Sequence, residues 1–330
     1  MKKSASAVAH SNIALIKYWG KRDALLNLPA VGSISITLEE LITRTTVTFD
    51  DELNGDEFYF AGKRATGKKE KRVGNFLDII RKSENYSGFA SITSENNFPT
   101  GAGLASSASA FAALTLAATS ALDLNLSSTE LSIFARQGSG SAARSIFGGF
   151  TEMNKGDLPD GSDAFAHQLN NEQFWDLRVV IAVTTEEEKQ HGSTDGMTQS
   201  AKTSAYYQSW IDSSPSDIKD MRSAIEMKDF QKMGELTENS CLKMHAVMLS
   251  TKPGLIYWNN ATIDVMHLTE QLRREGIPVY FTIDAGPQVK LITVPEYYNK
   301  ILDALKTLPD IKNIIISRLG PGAYLERQSD

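Results

Sequence analysis

Alternating apolar and polar residues predict strands in the first half of the chain. The run 33–38 (SISITL) alternates with a period of two, the run 89–93 (FASIT) does the same, and residues 8–16 mix apolar with polar side chains. Side chains of a strand point alternately to its two faces, so such runs are typical of half-buried strands. An Ala-rich segment, 110–121, follows the second alternating run. Residues 89–121 therefore predict a strand, a loop and a helix.

The second half of the chain alternates between strand and helix patterns after a polar stretch at 151–175, which predicts an exposed loop. We place a domain boundary at the far side of that loop, giving units 1–176 and 177–330. The pattern resembles a split βαβ unit with helices on one face of an antiparallel sheet. Strands are predicted at 178–183, 278–284, 288–294 and 313–317, and helices at about 195–211, 216–227, 230–249, 261–274 and 295–308.

The loop at 94–109 has the residues of a phosphate-binding loop. Gly101 and Gly103 lack a Cβ atom, so the backbone can turn sharply and approach a ligand closely. Ser106, Ser107 and Ser109 fall in the first turn of the predicted helix, where unpaired N–H groups and the helix dipole favour an anion. The sequence predicts a phosphate cradle here.

Other interpretations of the glycine loop follow from its spacing. No Lys follows Gly103, which excludes a P-loop. Gly101, Gly103 and Ser106 match a dinucleotide fingerprint with Asp123 as its acid, but residues 127–130 form a capping box that begins a helix where a second strand is required. A glycine-rich loop that binds no ligand is the remaining alternative.

Two further segments have residue types suited to anions. Small residues at 138–149 predict a second donor-rich helix start, and Arg144 within it offers a planar fork that fits a carboxylate. The segment 17–23 (KYWGKRD) is either a solvated strand edge or an anion-recognition loop. In the charged run 186–197, Ser193 or Thr194 predicts a helix N-cap. The basic run 62–72 predicts a solvated turn and helix start, with a lid over a nucleotide as the alternative.

Composition limits the possible partners and location. The chain has 330 residues and a net charge of −6, which argues against a nucleic-acid partner because that would require a basic face. Its single cysteine, Cys241, forms no intramolecular disulfide and suits a reducing compartment. No apolar run reaches membrane-spanning length, and Lys2 and Lys3 precede no signal sequence. We expect a cytoplasmic protein with no membrane partner.

Three motifs carry a resemblance to a known family. The run 99–108 (PTGAGLASSA) resembles the ATP loop of the small-molecule kinase superfamily that includes galactokinase, homoserine kinase and mevalonate kinase. The longer run 94–109, the run 11–21 (SNIALIKYWGK) and the run 282–287 (TIDAGP) resemble the mevalonate diphosphate decarboxylases of that superfamily. Val31-Gly32 departs from the Asn or Ser usual in that family.

The resemblance implies an α/β fold in two parts. An N-terminal ribosomal-S5-like half would bind ATP, and a C-terminal ferredoxin-like half would carry the catalytic acid. The implied reaction converts (R)-mevalonate 5-diphosphate and ATP, with Mg²⁺, to isopentenyl diphosphate, ADP, phosphate and carbon dioxide. The resemblance also implies a homodimer. A phosphomevalonate decarboxylase, a mevalonate-type kinase that stops at phosphoryl transfer, and an inactive nucleotide-binding protein are the alternatives.

The resemblance also implies roles for individual residues, although it assigns no magnesium ligands. The catalytic residues would be Asp284, Arg144 and Lys189. The substrate would be bound by Tyr18, Lys21, Ser139, Gly140, Ser141, Arg144, Ser193 and Thr194. ATP would be bound by Ser94, Asn96, Gly101, Gly103, Leu104, Ala105, Ser106, Ser107 and Ser109.

Overall fold

The computed structural model describes residues 2–98, 104, 106–187 and 191–326. The strands are β1 (Lys3–Ile16), β2 (Lys21–Asp23), β3 (Leu28–Pro29), β4 (Ser33–Asp50), β5 (Glu57–Phe60), β6 (Lys63–Arg64), β7 (Phe89–Asn96), β8 (Phe150–Met153), β9 (Ala166–Asn170), β10 (Arg178–Val183), β11 (Val279–Ile283), β12 (Val289–Thr293), β13 (Asn313–Ser317) and β14 (Tyr324–Leu325). The helices are α1 (Lys68–Ser83), α2 (Ser106–Ala121), α3 (Ser128–Gly138), α4 (Ala142–Ser145), α5 (Ser193–Thr203), α6 (Tyr207–Glu226), α7 (Phe230–Leu249), α8 (Asn260–Arg274) and α9 (Tyr298–Leu305).

The first sheet is built on two long antiparallel strands, β1 and β4. Its main order is β14-β1-β4-β7-β5-β6, and β8 and β9 extend it from β4. Helix α2 packs on β1 and β4 through a face of small side chains that includes Ala112, Ala113 and Ala117. This close approach brings the start of α2 over the end of β7, as the strand, loop and helix pattern predicts.

The second sheet has the order β11-β12-β10-β13 with every pair antiparallel, which is the ferredoxin-like arrangement. Strand β10 is apolar from Val179 to Val183 because both of its faces are covered. Val179 and Ile181 pack toward Ile34 and Ile36 of the first sheet. Val180 and Ala182 pack with side chains of α8 and α9, including Val265 and Ile301. The second sheet therefore places one face against the first and carries helices on the other.

The end of the chain returns to the first sheet. Strand β14 pairs with β1, and Leu319 bridges to Leu38 of β4. The predicted division into units 1–176 and 177–330 stays a prediction. No helix within the described ranges is long and apolar enough to cross a membrane.

The prediction of one exposed loop over 151–175 is wrong for the residues of β8 and β9. The buried strand β8 pairs with β4, and β9 pairs with β8. The segment between them has the expected polar turns, in which Asp163 accepts the backbone N–H groups of Asp157 and Leu158, and residues 171–175 also form turns. The Asp- and Gly-rich turn dominated the composition of the stretch and concealed two short strands beside it.

Two predicted helix boundaries are also wrong. Helix α6 runs through Pro215, where we expected a new helix to begin. A proline within a helix costs about 3 kcal/mol, but burial of Trp210, Ile218 and Met221 on this helix offsets that cost. Helix α5 begins at Ser193 with Gly192 as its N-cap and with no side-chain cap, so neither Ser193 nor Thr194 caps it.

Candidate active site

Asp284 lies directly after β11, between two buried lysines. The Lys17 Nζ atom donates to Asp284 Oδ1 at 2.6 Å, and Lys290 Nζ donates to Oδ2 at 3.2 Å. Both lysine side chains are 1% exposed, whereas that of Asp284 is 21% exposed. Burial alone raises the pKa of Asp284, but Lys17 and Lys290 outweigh it and hold the pKa well below its usual range. The carboxylate is therefore ionised at any working pH.

Side chains of helix α7 contact the backbone next to the ion cluster of Lys17, Asp284 and Lys290. The Ile283 N–H group donates to Cys241 Sγ at 3.2 Å, and Ser240 Oγ accepts the backbone N–H of Lys17 at 2.9 Å. His245 Nε2 accepts from Trp258 Nε1 at 3.3 Å and lies 3.3 Å from the Ile283 carbonyl oxygen. Burial and then the charge of Lys17 lower the pKa of His245 to about 3. Neighbouring side chains of one helix thus hold the backbone segments that carry Lys17 and Asp284.

Arg144 lies on the short helix α4 and is held by neutral oxygens. Its Nε atom donates to Ser35 Oγ at 3.0 Å, Nη1 donates to Ser33 Oγ at 2.5 Å, and Nη2 donates to Asn12 Oδ1 at 3.2 Å. No Asp or Glu within the described part of the chain forms an ion pair with it. Burial lowers the pKa of Arg144 to about 10, against an opposing effect of Asp284, so the buried guanidinium remains charged at neutral pH.

A chain of serine hydroxyls joins the two donor-rich segments. Ser107 of α2 hydrogen-bonds Ser139 at 3.3 Å, and Ser139 hydrogen-bonds Ser141 at 3.3 Å. Asn12 Nδ2, on the same side chain that accepts from Arg144, donates to the Ser141 carbonyl at 3.0 Å. The predicted ATP loop and the predicted substrate segment therefore meet at their hydroxyl groups.

Gly140 allows Tyr18 to approach the same segment. A Cβ atom at Gly140 would lie 2.4 Å from Tyr18 Oη, so any larger residue would displace the ring. The Tyr18 hydroxyl is buried and has no hydrogen-bond partner among the residues that the structure describes. Burial raises its pKa, so it stays protonated and can donate to an anion.

Lys21 and Arg72 form a second cationic region near Gly138. Lys21 Nζ donates to Asn27 Oδ1 at 2.5 Å, and Arg72 Nη2 donates to the Gly138 carbonyl at 3.0 Å. Burial lowers the pKa of Lys21, the charge of Arg72 lowers it further, and Asp195 in the first turn of α5 opposes both effects. Ser193 and Thr194 begin that same helix.

The predicted ATP loop is only partly described. Gly101, Gly103, Ala105 and the predicted catalytic Lys189 lie outside the described residues. Leu104 is buried, and its carbonyl accepts from Ser11 Oγ at 2.8 Å.

The polar residues that flank the loop bond to neighbouring strands. Thr43 Oγ1 lies 2.7 Å from both Asn96 Oδ1 and Ser109 Oγ, and Ser94 Oγ hydrogen-bonds Thr45 at 2.9 Å. Helix α2 begins at Ser106. The geometry brings these residues to one end of β7, while their roles toward ATP stay predictions.

Sequence reasoning missed four residues that the structure places at the site. Asn12 and Lys17 lie in the matched run 11–21 but received no role, and Lys290 is a cation inside an otherwise apolar strand. Asn12 and Lys290 are polar groups within buried strands, and Lys17 directly follows the buried end of β1, which is a signal that sequence inspection can find. Arg72 is one of many cations in the basic run 62–72, and nothing in the pattern distinguishes it.

The unusual pair Val31-Gly32 packs against apolar side chains. Val31 is buried in a cluster with Trp19 and Met244. A Cβ atom at Gly32 would lie 2.5 Å from Ile218 Cδ1. A larger residue at Gly32 would therefore require the Ile218 side chain of α6 to shift.

Comparisons with known proteins give the family. A family model described as Diphosphomevalonate decarboxylase-like N-terminal domain matches residues 9–166, and one described as Mevalonate 5-diphosphate decarboxylase C-terminal domain matches residues 179–321. Diphosphomevalonate decarboxylase of Candida albicans is 37% identical over 316 residues, covering 92% of this chain and 87% of that protein. The enzyme of Danio rerio is 36% identical over 318 residues, covering 91% and 78%.

Solved structures agree with these relatives over the whole fold. The crystal structure of mevalonate diphosphate decarboxylase from Staphylococcus aureus has a TM-score of 0.94 and 42% identity, covering 99% of each chain. A complex of the enzyme abbreviated MDDEF with MVAPP, AMPPCP and magnesium has a TM-score of 0.94 and 40% identity, covering 99% of this chain and 100% of that one. The expected two-part α/β fold is confirmed, and this chain belongs to the diphosphomevalonate decarboxylase family.

Proposed function

We propose that this chain catalyses the ATP-dependent decarboxylation of (R)-mevalonate 5-diphosphate to isopentenyl diphosphate, releasing ADP, phosphate and carbon dioxide. One observation carries the proposal: the Asp284 carboxylate is held ionised by two lysines, and the nearby Arg144 forms no ion pair with a carboxylate of the described chain. A fixed carboxylate suits a reacting hydroxyl, and a guanidinium that is held by neutral oxygens and has no carboxylate partner suits a substrate carboxylate. The activity of the named relatives supports the same reaction.

In the first step, Asp284 accepts a hydrogen bond from the tertiary hydroxyl on C3 and orients its oxygen toward the γ-phosphorus of ATP. The C3 oxygen forms a bond to that phosphorus as the bond to the β,γ-bridging oxygen breaks, and ADP leaves. The hydroxyl proton passes to the Asp284 carboxylate and from there to solvent, so the carboxylate is ionised again before the second step. Phosphoryl transfer needs positioning and charge neutralisation more than covalent help from the protein. Lys17, which contacts the same carboxylate, adds positive charge beside the transferred group.

In the second step, the bond between C3 and its phosphate oxygen breaks and phosphate leaves. The electron pair of the bond to the carboxylate then forms the double bond, and carbon dioxide is released. Arg144 holds the carboxylate so that this bond is aligned with the emptying orbital at C3. The negative charge of Asp284 stabilises the developing cation.

The diphosphate end of the substrate would lie among the donors around Gly140. Tyr18, Lys21, Ser139, Ser141 and Ser193 would supply them, Thr194 follows Ser193 on α5, and we add Arg72 as a further cation. Two linked phosphates need more donors than one, and this region offers them on separate elements.

ATP would bind at the loop between β7 and α2, with Lys189 approaching from the loop before α5. Within the described residues, no group of three or more His, Cys, Asp and Glu side chains is placed to hold a metal ion. We therefore assign Mg²⁺ to the ATP phosphates as part of the nucleotide substrate, where it reduces the negative charge on the transferred group. The complex of MDDEF with MVAPP, AMPPCP and magnesium supports this assignment.

The test is incubation of the pure protein with ATP, Mg²⁺ and (R)-mevalonate 5-diphosphate, with ADP, phosphate and carbon dioxide assayed together. Equal amounts of all three products are expected. ADP without carbon dioxide would indicate the alternative of a kinase that stops at phosphoryl transfer. No ADP would indicate an inactive nucleotide-binding protein.

A homodimer, a cytoplasmic location and the two units 1–176 and 177–330 stay proposals. Sedimentation velocity tests the first, fractionation of the source cells tests the second, and limited proteolysis near residue 176 tests the third.

A further inference from the structure

Lys290 is a charged side chain in the middle of a sheet. It lies on β12, which is hydrogen-bonded on one side to β11 and on the other to β10. Its strand neighbours are Thr282 and Ile181, and its side chain is 1% exposed. An ammonium group in such a place costs several kcal/mol unless it is paired. Its contact with Asp284 Oδ2 provides that pairing.

Lys290 and Lys17 bind opposite oxygens of the same carboxylate. Lys17 approaches Oδ1 from the end of β1 in the first half of the chain, whereas Lys290 approaches Oδ2 from the second sheet. Two cations on two oxygens fix the rotation of the carboxyl plane. Loss of Lys290 would leave Oδ2 without this bond in a buried place and would weaken the charge that keeps the carboxyl group ionised.

The other groups that face Asp284 do not replace Lys290. Cys241 and His245 contact the Ile283 backbone from α7, and Arg144 acts on Asp284 from α4. Burial raises the pKa of Cys241 to about 11 and lowers that of His245 to about 3, so both are neutral near pH 7. Lys17 and Arg144 also act on Asp284 as cations, but Lys17 bonds Oδ1 and Arg144 bonds Ser33, Ser35 and Asn12, so neither takes the place of Lys290 at Oδ2.

We propose that Lys290 is a positioning residue that keeps the Asp284 carboxylate ionised and in a single orientation for the reaction described above, on which this inference rests. It acts through Asp284 and not on the substrate. The buried carboxyl group is thereby available to the C3 hydroxyl over the whole working pH range.

The test compares Lys290→Met with a matched control, Thr293→Val. Thr293 lies on the same strand, is equally buried and bonds the Pro278 carbonyl at 2.7 Å, so its replacement weakens β12 without touching Asp284. In Lys290→Met, the fall of kcat at low pH should move to higher pH by about 1 to 3 units. Loss of one nearby opposite charge usually raises the pKa of a carboxyl group by that amount. The control should keep the wild-type pH dependence, and Lys290→Arg should recover most of it.

A second measurement does not depend on turnover. The ¹³C signal of the Asp284 side-chain carboxyl, assigned by its absence in Asp284→Asn, is titrated in ligand-free protein. Wild type should show no change down to about pH 3, whereas Lys290→Met and the more polar Lys290→Gln should titrate at higher pH. An unchanged Asp284 titration in both variants would overturn the proposal, even if their turnover is lost. This result would leave the proposed reaction intact, because that is judged on the products of the wild-type protein.

Discussion

Asp284 and Arg144 are both largely buried charges, but of the two only Asp284 forms ion pairs with described residues. Asp284 has a lysine on each of its oxygens, so its negative charge is balanced by side chains of the protein itself. Arg144 has only hydroxyl and amide oxygens around it. These groups orient the guanidinium, and Asp284 acts on its charge without forming an ion pair with it. The difference indicates that the Asp284 carboxylate is fixed and ionised before substrate binds, whereas the Arg144 guanidinium is oriented to bind an anionic group of the substrate.

The difference also explains why the site suits an anionic substrate. Three cationic side chains, Lys17, Lys290 and Arg144, surround one carboxylate. A buried excess of positive charge is unfavourable in the empty protein because it is poorly solvated. A substrate carboxylate and a transferred phosphoryl group would offset that excess, so binding and charge neutralisation are coupled at this site.

The largest effect on turnover is expected from substitution of Asp284. Asp284→Asn keeps the shape of the side chain but removes the acceptor charge that orients the C3 hydroxyl. Turnover should fall by at least ~10²-fold, while the affinities for ATP and substrate stay within a few-fold of wild type. Steady-state kinetics and calorimetric binding measure the two quantities separately. Near-normal turnover would remove Asp284 from the mechanism.

The donors at the phosphate end of the substrate should discriminate between a diphosphate and a monophosphate. Mevalonate 5-phosphate would leave two or three of the donors around Tyr18 and Lys21 without a partner, and each bond to a charged group contributes about 1.5–3 kcal/mol. We expect kcat/KM for the diphosphate to exceed that for the monophosphate by ~10²-fold or more. Equal values would favour a phosphomevalonate decarboxylase instead.

The Arg144 side can be altered with its charge retained. Arg144→Lys loses the planar fork and with it the three bonds to Ser33, Ser35 and Asn12. A misplaced carboxylate should lower turnover by about tenfold or more. Release of carbon dioxide is the measurement, with the melting temperature as the control for folding. Full decarboxylation by this variant would exclude the bidentate role.

The smallest effect concerns the support beneath Asp284. The pKa of His245 is about 3 in the folded chain and about 6.5 when unfolded. The unfolded chain therefore binds a proton first as the pH falls, so stability is lost between pH 6.5 and 3 and is unaffected above 6.5. When the pH falls from 6.5 to 5, the free energy of unfolding should decrease by about 1–2 kcal/mol less in His245→Gln than in wild type.

Urea unfolding of both proteins at the two pH values measures this difference. Burial also lowers the pKa of His10, but that residue is present in both proteins and cancels. Equal pH dependence in wild type and His245→Gln would show that His245 is not held neutral by the fold.

Much of the fold could be predicted from local patterns. Strands β10 and β13 have the predicted bounds, and the capping box at Ser127 begins α3 as expected. Local signals succeed there because hydrophobic period and capping chemistry agree. They fail at Pro215, where burial of one helix face outweighs the local preference against proline.

The site divides in the same way. Motifs indicated Asp284 and Arg144, but no motif indicates that a lysine on β12 lies beside the first, or that β4 hydroxyls hold the second. Those contacts depend on how β1, β4, α4 and the second sheet come together. The register that pairs Thr282 with Lys290 is a property of the folded hairpin and not of either strand alone.

The most direct test of the account is a thermodynamic cycle on Arg144 and the substrate carboxylate. Binding of (R)-mevalonate 5-diphosphate and of 3-hydroxy-3-methylbutyl diphosphate, which lacks the carboxylate, is measured calorimetrically in wild type and in Arg144→Met, with Asp284→Asn as the control. We expect wild type and Asp284→Asn to bind the compound with the carboxylate at least about tenfold more tightly than the one without it, and Arg144→Met to bind both equally. An equal preference in all three proteins would contradict this expectation.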